Sequence, residues 1–165
     1  MAISSDIIAS YRDPSGVVGR ILAGPVREDR ALALLIGAGV LIFVAQWPVA
    51  ARGAHLDPSV PLDARLSGAL MASLFIVPLL AYGLAGLSHL VAQAMGGRGS
   101  FYRARIALFW ALLATAPLML GHGLVAGMIG PGAGLTLIGV IVFAAFLRIW
   151  ASGLIVAERG AGVGA

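Results

Sequence analysis

Residues 106–157 read IALFWALLATAPLMLGHGLVAGMIGPGAGLTLIGVIVFAAFLRIWASGLIVA and carry a single charge, that of Arg148. A helix crosses the roughly 30 Å apolar core of a bilayer in about 20 residues, so this run is too long for one crossing. Glycine and proline concentrate at residues 130–134, GPGAG, which we predict to form a turn. The run therefore predicts two membrane spans, at about 104–128 and 134–157.

Three features of the first of these spans affect its shape or its packing. The tripeptide Gly121-His122-Gly123 offers an alternative break, which would leave a short span followed by a re-entrant stretch. Pro117 predicts a kink, because proline removes one backbone donor and crowds the preceding turn. Gly123 and Gly127 have the four-residue spacing that lets another helix approach closely, and we interpret them as packing positions.

Two further apolar runs lie upstream. Residues 31–50 contain no charge, and Trp47-Pro48 near their end predicts an interfacial anchor and a helix stop. Residues 67–95 form the next predicted span, with Pro78 in its middle as a predicted kink. The connector between the two runs, RGAHLDPSVPLDAR, is charged and contains two prolines, which is typical of a loop.

Composition agrees with a membrane protein. Hydrophobic residues make up 60% of the 165 positions and charged residues only 11%, whereas a soluble domain has about 25% charged residues. A surface so poor in charge must face a solvent other than water. The absence of cysteine excludes disulfides, thiolate metal ligands and thiol nucleophiles.

The arginines predict the orientation, because basic residues concentrate in cytoplasmic loops. Every one of the 11 basic residues is arginine. Positions 12, 20, 27, 30, 98, 103, 105 and 159 fall on one side of the predicted spans, and positions 52 and 65 on the other. This distribution predicts a multi-pass protein of the bacterial inner membrane with both termini in the cytoplasm.

The segment before the first span is predicted to be amphipathic. Asp13-Pro14 is a favourable helix start, with aspartate as N-cap and proline at the first helical position. Apolar residues then recur on one face at Val17, Val18, Ile21 and Leu22, and upstream at Ile3, Ile7, Ile8 and Tyr11. Such a helix would lie in the cytoplasmic interface of the bilayer. The alternative is a partly disordered tail.

Together these patterns predict an all-α polytopic membrane protein, with four transmembrane helices and an N-terminal amphipathic interfacial helix. Its predicted regions are an interfacial segment at 1–25, a transmembrane domain at 26–158 and a flexible tail at 159–165.

Arg148 is the most informative polar residue, because an arginine inside a membrane span is costly and usually has a partner or a function. Small residues surround it at helical spacing, at positions 144, 145, 151 and 152, and predict that its face packs against another helix. We predict an intramembrane polar cluster of Arg148 with His89 and Gln93 of the second span. The alternative is that Arg148 extends to phospholipid headgroups.

Other chemistry has weaker support. His89 and His122 fall on different spans without an acidic or thiol companion, which argues against a metal site. Gly86-Leu87-Ser88-His89 places a serine after glycine, but the motif of a serine hydrolase needs a further glycine where His89 stands. We therefore predict no catalytic residue, no cofactor and no metal.

The layout resembles the Yip1 family of small multi-spanning membrane proteins. The resemblance lies in the segment YRDPSGVV before the first span and in GGRGSFYRARIALFWALLATAP between spans two and three. It implies a helical multi-span topology. Eukaryotic relatives have five spans and act with Rab GTPases in vesicle traffic, whereas this chain has four predicted spans and lacks their acidic-aromatic tail motif.

These observations predict a non-enzymatic protein that acts through helix packing with other membrane proteins, with copies of itself or with the lipid bilayer. The alternative is a subunit of a small-solute transporter or channel, which two proline-containing spans favour. Neither nucleic acid nor a soluble small-molecule substrate is predicted as a partner.

Overall fold

A computed structural model describes residues 3–159, and every regular element in this range is helical. The helices are α1 (Ile3–Ser10), α2 (Pro14–Leu22), α3 (Glu28–Leu56), α4 (Leu62–Met71), α5 (Val77–Ala94), α6 (Phe101–Met128) and α7 (Ala133–Glu158). A π-helical turn, Ala72–Ile76, joins α4 to α5. Among the described residues, four segments are long and apolar enough to cross a membrane: α3, the combined α4–α5 segment, α6 and α7. The chain is thus an all-α, multi-pass membrane protein, as predicted.

The turn between the last two spans lies where glycine and proline concentrate. Helix α6 runs without a break to Met128, so the alternative break at residues 121–123 is wrong. Gly130 has a φ angle of +90°, which favours glycine, and a Cβ atom there would lie 2.6 Å from Nη2 of Arg52.

Of the two upstream prolines, Pro48 differs from its prediction, whereas Pro78 lies directly after a helix distortion. Pro48 does not end its helix, because α3 continues to Leu56 and shortens the predicted loop. Pro78 stands at the start of α5, directly after the π-helical turn. A proline cannot donate to the carbonyl four residues earlier and crowds it, and that carbonyl, of Leu74, belongs to the turn. The distortion thus lies one turn before Pro78.

Helix α6 is the centre of the bundle. Half of its most apolar window is buried by the rest of the protein, compared with 17% for the α4–α5 span. Gly123 and Gly127 allow α3 to approach closely: a Cβ atom would lie 1.9 Å from the carbonyl oxygen of Ala45 and 2.4 Å from Cβ of Pro48, respectively. Their interpretation as packing positions is confirmed.

The N-terminal helices fold back onto α6 and α7. Asp13 caps α2 by accepting a hydrogen bond from the Gly16 amide at 2.9 Å, as the Asp13-Pro14 pair predicts. The indole N–H of Trp110 donates to Oγ of Ser10 at 2.9 Å and anchors α1. The predicted apolar face of α2 is buried, namely Val17, Val18, Ile21 and Leu22.

Because α2 packs against α6 and α7, protein rather than lipid covers this apolar face. In α1, Ile3 and Ile8 are exposed. The interfacial position of the segment stays a prediction. Apart from Arg159, the predicted flexible tail lies outside the described residues, as do residues 1 and 2.

Candidate functional site

A buried contact between a histidine and a glutamate joins the ends of α5 and α7. Oε1 of Glu158 lies 2.7 Å from Nδ1 of His89, and Oε2 accepts a hydrogen bond from the Gly99 amide at 3.1 Å. His89 is 2% exposed and Glu158 is 8% exposed. This contact was not predicted from the sequence.

The position of Glu158 explains why it needs these partners. A carboxylate at the C-terminus of a helix faces the negative end of the helix dipole, and burial adds a desolvation cost. Hydrogen bonds from His89 and from the Gly99 amide offset both effects, provided that Nδ1 of His89 carries a hydrogen. The ring of Phe101 packs edge-on against His89, with 4.4 Å between ring centroids, and helps to hold the imidazole in place.

Glycine lets the α5–α6 loop reach the carboxylate. A Cβ atom at Gly97 or at Gly99 would lie 2.7 Å from Oε2 of Glu158. Because real Cβ atoms do not approach an oxygen this closely, either side chain would displace the loop or the carboxylate. The segment GGRG of the α5–α6 loop is therefore a binding loop for Glu158.

Backbone groups at the C-terminus of α7 are also satisfied. The guanidinium of Arg103 donates to the carbonyl oxygens of Ala157 at 2.9 Å and Val156 at 3.3 Å, and the Arg98 amide donates to the Glu158 carbonyl oxygen at 2.8 Å. These bonds satisfy carbonyls that a helix end leaves free. We call His89, Gly97, Gly99, Arg103 and Glu158 the Glu158 cluster. It links α5, the α5–α6 loop, α6 and α7.

The predicted cluster of Arg148, His89 and Gln93 is not formed. Arg148 donates to the backbone carbonyl oxygens of Tyr11 at 2.6 Å and Arg12 at 3.3 Å, just beyond α1. Gln93 is exposed, and His89 binds Glu158 instead. Arg148 and Glu158 are ten positions apart on α7, which corresponds to about 15 Å along the helix and about 80° around it. The two residues thus serve different neighbours.

The small residues around Arg148 do not form a packed face. Ala144 and Ala151 are exposed, and the buried side of α7 instead carries Val142, Ile149 and Gly153. In membranes both lipid-facing and protein-facing residues are apolar, so side-chain size alone does not identify the packed side.

The other polar residues have structural contacts. The Ser88 hydroxyl donates to the Ala85 carbonyl oxygen at 2.9 Å, and it is not bonded to His89. His122 lines a separate cavity of about 310 Å³ between α6 and α7. Within residues 3–159, no three His, Cys, Asp or Glu side chains are grouped so that they could hold a metal ion.

A groove separates α5 from α7 below the Glu158 cluster, because these two helices pack on α6 but only slightly on each other. Its middle part, about 300 Å³, is lined by residues such as Leu84, Val91 and Leu154. It adjoins a deeper part of about 530 Å³, with which it shares Leu84 and Leu87. We call this groove the α5–α7 seam.

The seam opens at the helix ends into a shallow cleft of about 430 Å³, with which its middle part shares Met95. The cleft is bordered by Arg98 and Arg159, and by Gly97 and Glu158 of the Glu158 cluster. We call it the mouth of the seam. Mouth and seam together form an amphipathic surface, charged at the helix ends and apolar along the spans.

Comparisons of the chain with protein-family models, with curated proteins and with solved structures give no match. The resemblance to the Yip1 family therefore stays a prediction.

Proposed function

We propose that this chain is a non-enzymatic protein of the bacterial inner membrane that acts by binding another membrane component along the α5–α7 seam. The observation that carries the proposal is the seam itself. Two spans pack on α6 yet leave an apolar groove between them that is open to the side, toward the surrounding membrane. Such a groove suits a component that reaches it laterally within the bilayer rather than a water-soluble substrate.

The polar groups near the seam support a binding role. The imidazole of His89 and the carboxylate of Glu158 bind each other, and the Ser88 hydroxyl bonds to the backbone of its own helix. These contacts position helices, and they occupy the groups that a nucleophile or general base would need free. A Yip1-like role in membrane organisation is compatible with this assignment.

The arrangement of charge supports an orientation with both termini in the cytoplasm. Four spans return the chain to the side on which it began. The arginines in α2, in the α5–α6 loop and after α7 lie at the same end of the bundle, because α2 packs on α7 and the loop binds Glu158. By the positive-inside rule, this end faces the cytoplasm.

Site-specific crosslinking in native membranes tests the proposed function. A photoreactive side chain at Leu87 would sit in the seam, and the same group at Val40, exposed on α3, serves as the matched control. We expect one membrane component to be enriched in the crosslinks from Leu87 relative to those from Val40. Identical, unselective labelling at both positions would contradict the proposed function.

A transporter or channel subunit is the second candidate, and the π-helical turn in the α4–α5 span favours it. Such turns occur frequently at functional positions in helices. The Ser73 hydroxyl within this turn is buried and has no hydrogen-bond partner among the described residues. Solute flux into liposomes that contain the purified protein would support this candidate, and flux equal to that of empty liposomes would contradict it.

A further inference from the structure

We infer that the α5–α7 seam binds one anionic phospholipid, with the phosphate at the mouth between Arg98 and Arg159 and an acyl chain along the apolar seam. This inference rests on the proposed function, because it names the occupant of the same groove. It is carried by the charge at the mouth, and by the length and the volume of the middle part of the groove.

The mouth offers two free cations. The side chains of Arg98 and Arg159 are exposed and border the same cleft, and neither has a hydrogen-bond or ion-pair partner among residues 3–159. By contrast, Arg103 and Arg105 at this end of the bundle already bind protein groups. Two unpaired guanidinium groups at one cleft are suited to a phosphate, which accepts several charge-assisted hydrogen bonds.

The carboxylate of Glu158 at the mouth does not oppose the binding of a phosphate there. Glu158 borders the cleft, but both of its carboxylate oxygens already accept hydrogen bonds, from His89 and from the Gly99 amide. These donors offset its negative charge within the protein. The cations that remain for a ligand are those of Arg98 and Arg159.

The mouth and the middle part of the groove together match one leaflet of a bilayer in length. From Met95 at the mouth to Leu84, the last residue of α5 that lines the middle part, α5 rises by about 16 Å. Half of a hydrocarbon core about 30 Å thick is about 15 Å. The mouth lies at the ends of α5 and α7, which is the depth of phospholipid headgroups. A lipid of the adjacent leaflet would thus place its phosphate at the arginines and its chain in the seam.

The small volume of the groove favours a lipid over a helix. A helix with its side chains is about 10–12 Å in diameter, which is too bulky to enter a middle part of about 300 Å³. A flexible acyl chain can follow a small apolar groove such as this one. A helix would also leave Arg98 and Arg159 without an anion unless it carried an acidic residue at the matching depth.

Native mass spectrometry of the full chain in mild detergent tests this inference. Phosphatidylglycerol is compared with phosphatidylcholine of the same acyl chains, and glycerol phosphate serves as the soluble headgroup. We expect one phosphatidylglycerol to be retained, and the other two compounds to bind at least about tenfold more weakly. Equal retention of both lipids, or equal binding of glycerol phosphate, would overturn the inference.

Three variants locate the site. The double substitution Arg98→Gln and Arg159→Gln should weaken phosphatidylglycerol binding at least about tenfold. The double substitution Arg12→Gln and Arg30→Gln removes the same charge at the same end of the bundle, outside the mouth, and should bind as the unmodified chain does. Leu87→Trp should reduce binding by filling the seam while the charge stays unchanged.

The midpoint of thermal unfolding, measured without added lipid, distinguishes a variant that has lost binding from one that has lost its fold. Because all five substituted residues are exposed, we expect the thermal midpoints of the three variants to match that of the unmodified chain. If the mouth variant binds as its charge control does, the inference fails. A protein helix rather than a lipid at Leu87 in the crosslinking experiment would also overturn it, but would leave the proposed function intact. Unselective crosslinking would contradict both this inference and the proposed function.

Discussion

The α3–α6 interface and the α5–α7 seam show two ways in which neighbouring spans are held in one bundle. Between α3 and α6, the missing side chains of Gly123 and Gly127 bring two backbones into contact. Between α5 and α7, the helices leave a groove and are joined at their ends by the Glu158 cluster. The α3–α6 pair is held by close packing of the two helices, whereas the α5–α7 pair is held by a few polar bonds at one end.

This difference indicates where the protein is adaptable. Close helix packing leaves no space for a ligand and tolerates little movement, because protein interiors have few voids. A polar link at one end fixes the helix ends but leaves the surfaces beyond it open. We propose that α5 and α7 form the binding part of the bundle, whereas α3 and α6 form its structural part.

The largest expected effect on stability lies at the α3–α6 interface. In Gly123→Ala, the added Cβ would meet the carbonyl oxygen of Ala45, and backbone cannot move aside as a flexible side chain can. We expect a loss of about 3 kcal/mol in unfolding free energy in detergent, measured by chemical denaturation. Gly121→Ala is the matched control, because open space surrounds this glycine in the same helix. Equal stability of the two variants would refute the close contact.

A smaller effect is expected at the Glu158 cluster. Glu158→Gln keeps the shape of the side chain but removes the charge that the His89 imidazole and the Gly99 amide stabilise. We expect a loss of about 2 kcal/mol in unfolding free energy, because charged hydrogen bonds are stronger than neutral ones.

The matched control for Glu158→Gln is Asp63→Asn, which removes the same charge from an exposed acid near the start of α4. This control should change the unfolding free energy by less than about 0.5 kcal/mol. The pairing itself is tested in His89→Leu, alone and together with Glu158→Gln. If the two losses add without coupling, the Glu158 cluster does not hold the helices together.

The four spans were predictable from the sequence because they depend on local length and hydropathy. The turn at residues 130–134 was predictable for the same reason, since glycine and proline act on their own backbone. Pro48 was misread because a long apolar helix can include a proline when its neighbours support it. The capped start of α2 follows from two adjacent residues, Asp13 and Pro14.

The Glu158 cluster was not predictable by the same means. His89 and Glu158 are 69 residues apart, and their contact depends on how α5 and α7 are rotated about their axes. Hydropathy does not determine that rotation in a membrane, because lipid and protein both accept apolar faces. One signal was present: Glu158 follows a long run without acids, and a glycine-rich loop with no bulky side chain at Gly97 or Gly99 could approach it.

The smallest expected effect concerns Arg148, which connects the binding part of the bundle to the N-terminal helices. Arg148→Leu removes two hydrogen bonds to the backbone carbonyls of Tyr11 and Arg12, but its side chain is exposed, so we expect a loss of only about 1 kcal/mol. Hydrogen exchange should become faster in α1 and α2 and stay unchanged in α5, because His89 does not depend on Arg148. The control is Arg12→Gln, which keeps the backbone carbonyl that accepts from Arg148. Hydrogen exchange in α1 of this variant should stay slow. Faster exchange in α5 of Arg148→Leu would instead mean that Arg148 supports the seam.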